Sequence, residues 1–559
     1  MYQHKFSNAN LIRICELTGQ SPCVSFPHRW RQAVSNIPES RTIPRLLREL
    51  VANHGNREAL VGQGERMTYQ QLGERVEALA ARLIRTGVKR GEKVGVLMGN
   101  RPEWVISALA ITSIGAVLVS LNSWATAREL AYLLSHSGCR HLIATRRYLK
   151  YDYAVMLRDM DPAIRGRLAT VIGVDADLPD GWLPFDDAAD VARVEAGDAV
   201  RAAGEQVGSD DIAFLLYTSG STSAPKGVQL AHGALIVNGW HIGERQRIVP
   251  GDRLWLAVSL FWALGCVNAM MNLLTHGGCI VLQEAFDAGE ALHLIEAERC
   301  TVFYGTPNMA QALYDHPERE RHDLGSLRTG GTLGSPEQIA RVIKLGVSRV
   351  CNIYGLTETY GNSHVTSADD DEALRLVSCG QPLPGVEQRI VDANGIDLPP
   401  GEIGEIRVKG RVIDGYYGNE ELTKASFDEQ GYFRTGDLGY VDSQGYLYYR
   451  GRSKEMIKTG GINVSPADVE SVLSAHPAIY LAYVVGVPDP VRDEEIGALV
   501  VLENGASMAS DEILQYCRQN LAAYKVPRRL RFVSEGELPM TTTGKVQKNR
   551  LAEMFFPPA

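Results

Sequence analysis

A stretch that reads LLYTSGSTSAPKGVQLAH, beginning at Leu215, combines residues that could hold phosphate groups. Its hydroxyls and closely spaced backbone N–H groups come from Thr218, Ser219, Gly220, Ser221 and Thr222. A turn of this composition can bind phosphate oxygens, and Lys226 could place a positive charge on them. A solvated Ser/Thr loop would look similar, but a buried strand leads into this one and Pro225 stiffens its exit. We therefore predict a phosphate-binding loop.

The predicted loop lacks the usual magnesium ligand. The common phosphate loop ends in Gly-Lys-Ser/Thr, whereas here Gly227 follows the lysine. A substitute lies in NIYGLTETYG, Asn352 to Gly361, where Glu358 could bind Mg²⁺ through carboxylate oxygen. In the same segment Tyr354 could stack on a base, and Thr357 could hydrogen-bond a phosphate. By itself, a glutamate in such a segment is more often a surface residue.

Two segments nearer the C-terminal end also carry polar groups. Asp437 lies between two glycines in TGDLG, where its carboxylate could accept both hydroxyls of a ribose or merely stabilise a turn. Lys545 follows a threonine run in TTTGKVQKNRL, a basic segment that in isolation is typical of solvated charge.

Length and composition limit the class of protein. The 559 residues require two or more domains, and 45% apolar with 22% charged residues is ordinary for a soluble globular protein. The net charge of −9 argues against nucleic acid or an anionic membrane as the main partner. The 9 cysteines include no CxxC pair and indicate reduced, mostly buried thiols of a cytoplasmic protein.

One apolar run, from Trp104 to Leu121, raises a membrane-spanning interpretation. Serines and threonines dilute the run, and Gly115 interrupts it. A helix after Pro102 followed by the buried strand AVLVSL explains it better. We therefore expect no integral membrane segment.

Helical patterns alternate with short β-rich runs along most of the chain, which predicts an α/β fold with largely parallel sheets. After about Gly380 the sequence becomes rich in Gly and Pro, which predicts an antiparallel β subdomain, with a small barrel as one form. The last hundred or so residues read as a separate small α+β unit. We place the boundary before this unit at Arg450 to Lys454.

Four segments in this order are far more specific than any one of them: YTSGSTSAPKG, YGLTE, TGD followed by GRSKEMIK, and TTTGKVQKNRL. The set resembles the acyl-adenylate-forming superfamily, and most of all its acyl-CoA synthetases. The resemblance implies an AMP-binding N-terminal domain at 44–450, a hinge at 451–454 and a mobile α+β C-terminal domain at 455–559. The extension 1–43 lies outside it, and Ser223 departs from the family's usual glycine.

The resemblance also implies a two-step reaction with ATP, Mg²⁺ and coenzyme A. A carboxylate attacks the α-phosphorus of ATP and pyrophosphate leaves, giving an acyl-adenylate. A thiol then attacks the activated carbonyl, and AMP leaves. Such chemistry depends mainly on positioning and charge neutralisation.

Roles follow residue by residue from the resemblance. Lys545 would bridge the carboxylate and the α-phosphate, Thr357 would contact the α-phosphate, and Glu358 would bind Mg²⁺. Lys454 matches the hinge, and Gly460 with Gly461 matches the tunnel for the thiol of CoA. Positions that would bind ATP or AMP are Thr218, Ser219, Gly220, Ser221, Thr222, Lys226, Gly331, Thr332, Asn352, Tyr354, Gly355, Asp437 and Arg452.

The acid substrate is less well defined. Amino-acid-activating relatives carry an Asp after the Phe of a mid-domain motif, but here Trp262 follows Phe261. Trp262 could gate or wall an apolar acyl pocket with Phe261, Leu264, Gly265 and the segment Phe303–Met309, or it could pack in the core. We expect an uncharged, apolar acid with an alkyl, aryl or alicyclic group.

Two other functions stay open at this stage. The acceptor could be the phosphopantetheine of a carrier protein instead of CoA. A non-catalytic relative that only binds nucleotide is the other class, and the joint presence of Lys226, Glu358, Asp437 and Lys545 argues against it. The partners that we expect are small molecules, and a homodimer is an open option.

Overall fold

The computed structural model describes residues 37–186, 193–218, 225–459, 462–489, 493–521, 523–541 and 545–557. The sheets and helices below belong to the structural unit from Ser40 to Ala559. Several residues named above lie outside the described residues: Ser219, Gly220, Ser221, Thr222, Ser223, Gly460 and Gly461. Most of the extension 1–43 lies outside them too.

The α-helices occur along the whole unit. In chain order they are α1 Ile43–His54, α2 Tyr69–Arg85, α3 Pro102–Ser113, α4 Ala127–Ser137, α5 Tyr153–Arg158, α6 Pro162–Arg165, α7 Arg193–Glu205, α8 His232–Gln246, α9 Met271–Thr275, α10 Ala288–Ala297, α11 Pro307–Tyr314, α12 Pro336–Lys344, α13 Glu372–Val377, α14 Glu420–Ala425, α15 Pro466–Ser474, α16 Ser510–Asn520 and α17 Lys548–Phe555.

The strands fall into large N-terminal sheets and smaller later ones. The first group is β1 Glu58–Gly62, β2 Glu65–Thr68, β3 Lys93–Leu97, β4 Val117–Ser120, β5 His141–Ala144, β6 Arg147–Tyr148, β7 Tyr151–Asp152, β8 Thr170–Gly173, β9 Leu183–Pro184, β10 Ile212–Thr218, β11 Lys226–Ala231, β12 Arg253–Leu256, β13 Cys279–Leu282, β14 Val302–Tyr304, β15 Thr329–Thr332, β16 Arg349–Tyr354, β17 His364–Val365 and β18 Gln381–Pro382. The second group is β19 Glu387–Val391, β20 Gly404–Lys409, β21 Phe433–Val441, β22 Leu447–Arg452, β23 Ile457–Thr459, β24 Ile462–Val464, β25 Ile479–Asp489, β26 Asp493–Leu502 and β27 Arg529–Phe532.

Two large sheets form the N-terminal part. One has nine strands in the order β18-β17-β16-β15-β14-β12-β13-β1-β2, and the other has seven in the order β11-β10-β4-β3-β5-β8-β9. Pairing is parallel from β1 to β16 in the first sheet and from β10 to β9 in the second. The predicted α/β fold with largely parallel sheets is confirmed.

The apolar run from Trp104 to Leu121 is divided between α3 and β4. Helix α3 is buried around its circumference, with Trp104, Ile106 and Ile111 fully enclosed, because it packs against α2, α1 and β4. A helix enclosed on every side has no polar face, which is why this run resembled a membrane span. Among the described residues, no helix is both long and apolar enough to cross a bilayer.

The predicted antiparallel β subdomain is confirmed, but a barrel is not formed. Strands β19 to β22 pair in sequence order, each antiparallel to the next. No pairing joins β19 to β22, so the sheet stays open within 387–452.

The C-terminal α+β part is a sheet with helices on both faces. Its order is β24-β23-β26-β25, with β27 parallel to β26. Because side chains alternate along a strand, β25 and β26 supply two cores. One core includes Val469 of α15 and Ile513 of α16, and the other includes Leu551 of α17.

The cysteines within the described residues are buried and free, which agrees with the prediction of reduced thiols. They are Cys139, Cys266, Cys279, Cys300, Cys351, Cys379 and Cys517. Burial raises the pKa of Cys139 and of Cys351 to about 12, so both thiols stay protonated at neutral pH.

Candidate active site

The candidate residues follow the carboxyl ends of parallel strands from both large sheets. Thr218 ends β10, Thr332 ends β15 and Tyr354 ends β16. In open α/β sheets, ligands bind beyond these strand ends. This arrangement explains how segments far apart in the sequence can serve one site.

The hydroxyl-rich stretch connects two antiparallel strands. Thr218 of β10 pairs with Lys226 of β11, so the chain turns back between these two residues. A strand and not a helix begins at Lys226. No helix N-terminus is therefore available at Lys226 to bind phosphate oxygens. Strand β11 was not predicted from the sequence, although Val228 and Leu230 lie on either side of the polar Gln229.

Lys226 and Glu358 meet at one aromatic side chain. The Lys226 ammonium lies 5.3 Å from the centre of the Tyr416 ring. The Tyr416 hydroxyl donates a hydrogen bond to Glu358 Oε1 at 2.7 Å. Burial first, and then the Glu358 charge, raises the pKa of Tyr416, so its hydroxyl stays protonated. Tyr416 was not predicted from the sequence, where its only signal was the pair of tyrosines in DGYYGN.

The turn that carries Thr357 and Glu358 is fixed to helix α8. It is a single 3₁₀ turn, Thr357–Thr359, and it is followed by Tyr360 with a left-handed φ of 55°. Asn238 of α8 donates to the Tyr360 carbonyl at 2.8 Å. Glu358 is 7% exposed, so its carboxylate is held inside and is not the surface residue that such segments usually provide.

Asp437 lies at the centre of a second group. It faces Arg452 across β21 and β22, with 3.0 Å between Asp437 Oδ1 and Arg452 Nε. Tyr354 donates its hydroxyl to Asp437 Oδ2 at 2.9 Å. Oδ1 is buried and accepts no hydrogen bond of good geometry among the described residues. Burial raises the pKa of Asp437, and the charge of Arg452 opposes that rise.

The Tyr354 ring is enclosed by other rings. Its centre lies 5.7 Å from that of His364 and 5.9 Å from that of Tyr449, both at tilted angles. The structure therefore places Tyr354 where it supports Asp437. Its stacking on a base stays a prediction.

Lys545 belongs to the C-terminal part, and its charge interacts with that of Arg452. Its segment is held by an isolated β-bridge between Met540 and Val546 and by a hydrogen bond from Lys545 N to Thr541 Oγ1 at 3.0 Å. The residue as a whole is exposed. Even so, loss of water around its ammonium, and then the charge of Arg452, lower the pKa of Lys545. A bound anion would stabilise this ammonium and raise its pKa again.

Gly331 and Gly355 make close contacts that a side chain would prevent. A Cβ at Gly331 would lie 2.8 Å from the Tyr304 ring and 2.9 Å from Gln246 Nε2. A Cβ at Gly355 would lie 2.2 Å from the Gly361 carbonyl oxygen. These glycines are therefore needed for packing, whatever they also contact in a complex.

Thr332 and Asn352 both have hydrogen-bond partners within the protein. The Thr332 hydroxyl donates to the Gly305 carbonyl at 3.0 Å, and Asn352 Nδ2 donates to the Ser378 carbonyl at 2.8 Å. Both side chains are buried and fix neighbouring loops. Their roles in nucleotide binding stay predictions.

A buried polar network lies behind Gly331 and was not predicted from the sequence. Asn362 Nδ2 donates to the Tyr304 hydroxyl at 3.1 Å, and Asn268 Nδ2 donates to Asn362 Oδ1 at 2.5 Å. Asn272 Nδ2 donates to Gln246 Oε1 at 3.0 Å. The network is only partly satisfied within the described residues, because Asn268 Oδ1, Asn272 Oδ1 and Gln246 Nε2 are buried without a hydrogen-bond partner. Scattered amides in separate segments gave no sequence signal.

Trp262 belongs to an aromatic cluster with Phe261 and Trp124. The ring centres lie 5.3 Å apart for Trp124 and Trp262, and 5.2 Å apart for Trp124 and Phe261, both edge-to-face. Phe261 is buried, whereas Trp262 is only partly buried against the core. The arrangement is compatible with a wall as well as with core packing. Trp124 was not predicted from the sequence as a neighbour of Trp262.

Trp262 also precedes an unusual helix. The segment Ala263–Met270 has π-helical hydrogen bonding, which often accompanies functional sites. Gly265 lets this segment approach the preceding turn, because a Cβ there would lie 2.5 Å from the Ser259 carbonyl oxygen.

Lys454 lies in the 3₁₀ turn Ser453–Glu455, which connects β22 to β23. Across this connection, Ser465 Oγ donates to the Arg450 carbonyl, and Arg450 Nη1 lies 3.8 Å from Asp468 Oδ1. These contacts join the two parts of the unit on either side of the predicted hinge.

Taken together, the site defines a class of protein. Lys226 and the buried Glu358 share Tyr416 as a partner, and Asp437 is paired with Arg452, an arrangement compatible with the joining of a carboxylate to a nucleotide. The fold defines the same class, with large α/β sheets followed by a small α+β part.

Comparisons with known proteins agree. The family model described as AMP-binding enzyme matches residues 47–417, and the model of the AMP-binding enzyme C-terminal domain matches 468–545. The chain is 32% identical to the medium-chain acyl-CoA ligase ACSF2, mitochondrial, of Bos taurus, over 92% of this chain and 88% of the relative. It is 34% identical to a feruloyl-CoA synthase of Amycolatopsis sp, over 88% and 94%.

A solved structure gives the same result. The anthranilate CoA ligase AuaEII, in complex with anthranoyl-AMP, has a TM-score of 0.80 and 28% identity, and the match covers 92% of this chain and 98% of that one. The chain belongs to the AMP-binding enzymes, in the group of AMP-forming acyl-CoA ligases that use a carboxylic acid, ATP and CoA.

Proposed function

We propose that this protein converts an uncharged, apolar carboxylic acid to its acyl-adenylate with ATP and then transfers the acyl group to the thiol of CoA. The observation that carries the proposal is the buried Asp437, paired with Arg452 and Tyr354, together with the interaction between the charges of Arg452 and Lys545. Each of these residues comes from a different segment, and together they offer acceptors for a ribose and cations for an anion.

In the first step, a carboxylate oxygen attacks the α-phosphorus and the bond to pyrophosphate breaks. The two anions repel each other, so the barrier falls when a cation holds both. Lys545 supplies that cation, while Asp437 Oδ1 accepts a hydrogen bond from a ribose hydroxyl. Thr357 is the hydrogen-bond donor to the α-phosphate, and Lys226 with the hydroxyl loop holds the β- and γ-phosphates.

Glu358 is the residue that would hold Mg²⁺. Mg²⁺ in nucleotide enzymes is usually bound by one or two carboxylates together with substrate phosphates, and a single buried carboxylate near Lys226 fits that pattern. The metal ion would neutralise charge on the phosphate oxygens during displacement.

In the second step, the thiol attacks the adenylate carbonyl and AMP leaves. Lys545 has no part in this step. We propose that the C-terminal part, 455–559, rotates about Lys454 within the hinge 451–454, so that Gly460 and Gly461 line the approach of the thiol. Residues 44–450 would form the domain that retains the adenylate.

The acyl pocket would be walled by Trp262, Phe261, Gly265 and the segment Phe303–Met309. The relatives support more than one kind of acid, because their names specify a medium-chain acid, ferulic acid and anthranilic acid. The partly buried aromatic cluster supports an uncharged acid, since aromatic walls favour apolar groups. We further propose a cytoplasmic location, which the buried free thiols support.

Pyrophosphate release across a panel of alkyl, aryl and alicyclic acids, with and without CoA, tests the proposal. We expect ATP-dependent pyrophosphate release with at least one acid, and acyl-CoA when CoA is present. Pyrophosphate release followed by transfer only to a carrier-protein phosphopantetheine would replace CoA by a carrier as acceptor. No pyrophosphate release with any acid would contradict the proposed function.

A further inference from the structure

Two side chains of helix α4 contact both ends of the hydroxyl-rich loop that joins β10 to β11. Tyr132 donates its hydroxyl to the carbonyl of Pro225, the residue before β11, at 3.1 Å. His136 Nδ1 lies 2.9 Å from the hydroxyl of Tyr217, which precedes the last residue of β10. One helical turn therefore spans the entry and the exit of the loop.

These two side chains also support each other. Tyr132 and His136 are four residues apart on α4, and their rings stack with centres 5.4 Å apart at an angle of 27°. The Tyr217 ring packs edge-on against His136 at 5.6 Å. Both hydrogen bonds thus come from a rigid pair of rings on one helix.

A third contact joins the exit strand to the same helix. Tyr417 packs its ring edge-on against His136 at 5.7 Å, and its backbone N–H donates to the Gly227 carbonyl at 2.8 Å. Its neighbour Tyr416 contacts Lys226 and Glu358. The helix is therefore connected with both strands and, through the tyrosine pair, with the predicted metal ligand.

A loop that holds a triphosphate must keep its ends within fractions of an ångström, because its N–H groups and hydroxyls have to converge on the phosphate oxygens. Strand pairing reaches only Thr218 and Lys226. The carbonyl of Pro225 lies just beyond that pairing, and the side chain of Tyr217 lies just before it. Contacts at these points set the direction in which the chain leaves one strand and enters the other.

We propose that Tyr132 and His136 are positioning residues for ATP binding, which act through Pro225 and Tyr217 on the two ends of the loop without touching the nucleotide. The inference rests on the proposed function in one respect, namely that this loop binds the triphosphate of ATP. It adds a set of residues that no catalytic step uses.

The test measures KM for ATP, for the acid and for CoA in Tyr132→Phe, His136→Leu and His136→Asn. Loss of one hydrogen bond between neutral groups corresponds to about a 3- to 10-fold change in a binding constant. We expect KM for ATP to rise by that factor in Tyr132→Phe and His136→Leu, while the KM values of acid and CoA change less than about twofold. Asn keeps a polar group near the position of Nδ1, so His136→Asn should keep KM for ATP near the wild-type value.

A double-mutant cycle separates positioning from general packing. Tyr217→Phe should reproduce His136→Leu, and the double variant should be no worse than either single one, because both remove the same hydrogen bond. Tyr314→Phe, at an exposed tyrosine of α11, is the matched control and should leave all three KM values unchanged. Equal increases of all three KM values, or an unchanged KM for ATP, would overturn the inference.

Calorimetric ATP binding distinguishes this inference from the proposed function. If the wild-type protein releases no pyrophosphate with any acid, the proposed reaction fails, but ATP affinity can still be compared. A Kd for ATP that is weaker by about 3- to 10-fold in Tyr132→Phe would then support the positioning role. Equal affinities, or no ATP binding by the wild-type protein, would overturn it.

Discussion

The two cations of the candidate site, Lys226 and Lys545, have opposite surroundings. Lys226 begins a strand and lies over the Tyr416 ring, whose hydroxyl bonds a carboxylate. Lys545 lies in a turn near the C-terminal end, where loss of water and then the charge of Arg452, another cation, lower the pKa of its ammonium. The first is therefore placed among groups that stabilise its charge, whereas the second is placed where its charge is costly.

The different surroundings of the two lysines indicate different roles in the reaction. A cation that strand pairing fixes over an aromatic ring can hold phosphates in any state of the enzyme. A partly desolvated cation near another cation is stabilised when a further anion binds beside it. Lys545 should therefore matter for the step in which two anions must approach, and Lys226 for binding alone.

The largest expected effect is that of Lys545→Ala on adenylation. Because one buried donor to a developing anion is worth about 10²–10³-fold, formation of acyl-adenylate should fall by that factor. Conversion of supplied acyl-adenylate to acyl-CoA should be nearly unchanged. Single-turnover kinetics of each half-reaction measures both. Lys344→Ala, at an exposed lysine of α12, is the control, and equal losses in both steps would remove the distinction between the two cations.

The reverse pattern is expected of Gly461→Leu, at a position outside the described residues. A side chain there should block the approach of the thiol, so acyl-adenylate and pyrophosphate should form while acyl-CoA does not. Lys454→Pro should resemble it, because Pro restricts the backbone of the proposed hinge. Normal acyl-CoA formation by Gly461→Leu would contradict the proposed rotation.

The next effect concerns the carboxylate beside Lys226. Glu358→Gln keeps an oxygen for the Tyr416 hydroxyl but removes the negative charge. We expect the Mg²⁺ concentration for half-maximal adenylation to rise at least about tenfold, with AMP affinity nearly unchanged. Magnesium titrations of the variant, with the exposed Glu372→Gln as control, measure this. An unaltered magnesium requirement would show that Glu358 is only a partner of Tyr416.

A smaller effect is expected at the acyl pocket. Trp262→Ala should shift preference toward bulkier or longer acids, by roughly tenfold in relative kcat/KM, because one methylene in an apolar pocket is worth about that factor or more. The measurement is the ratio of kcat/KM values across the acid panel. If the ratios stay constant and only the melting temperature falls, Trp262 packs in the core.

The smallest effect is a dependence on pH. The pKa of Lys545 is lowered, so its ammonium, and with it the adenylation kcat/KM, should be lost at a pH below the usual lysine value of 10.5. Stability changes in the opposite direction. The unfolded chain binds this proton more tightly, so stability of the free protein should rise slightly with pH between the two pKa values. Lys545→Met should remove that rise.

Particular elements show how much of the fold and the site could be predicted from the sequence. The run from Trp104 to Leu121 was correctly divided into a helix and a buried strand, because Gly115 and the small polar residues mark the break. Strand β11 was missed, because the hydroxyls, Pro225 and Lys226 of this segment indicated only a loop. The small barrel, offered as one form of the antiparallel β subdomain, was wrong, because alternation within a strand does not specify whether the first and last strands pair.

The sequence by itself determined the family, the α/β class and the candidate residues, because these depend on motifs whose order along the chain is specific. Only the tertiary structure decided which side chains meet. Tyr416, Trp124, Tyr132 and His136 carry no motif, and each acquires its partner through strand pairing and helix packing between distant segments. Local spacing in the chain cannot encode such contacts, because they arise only when the strands and helices that carry them are packed together.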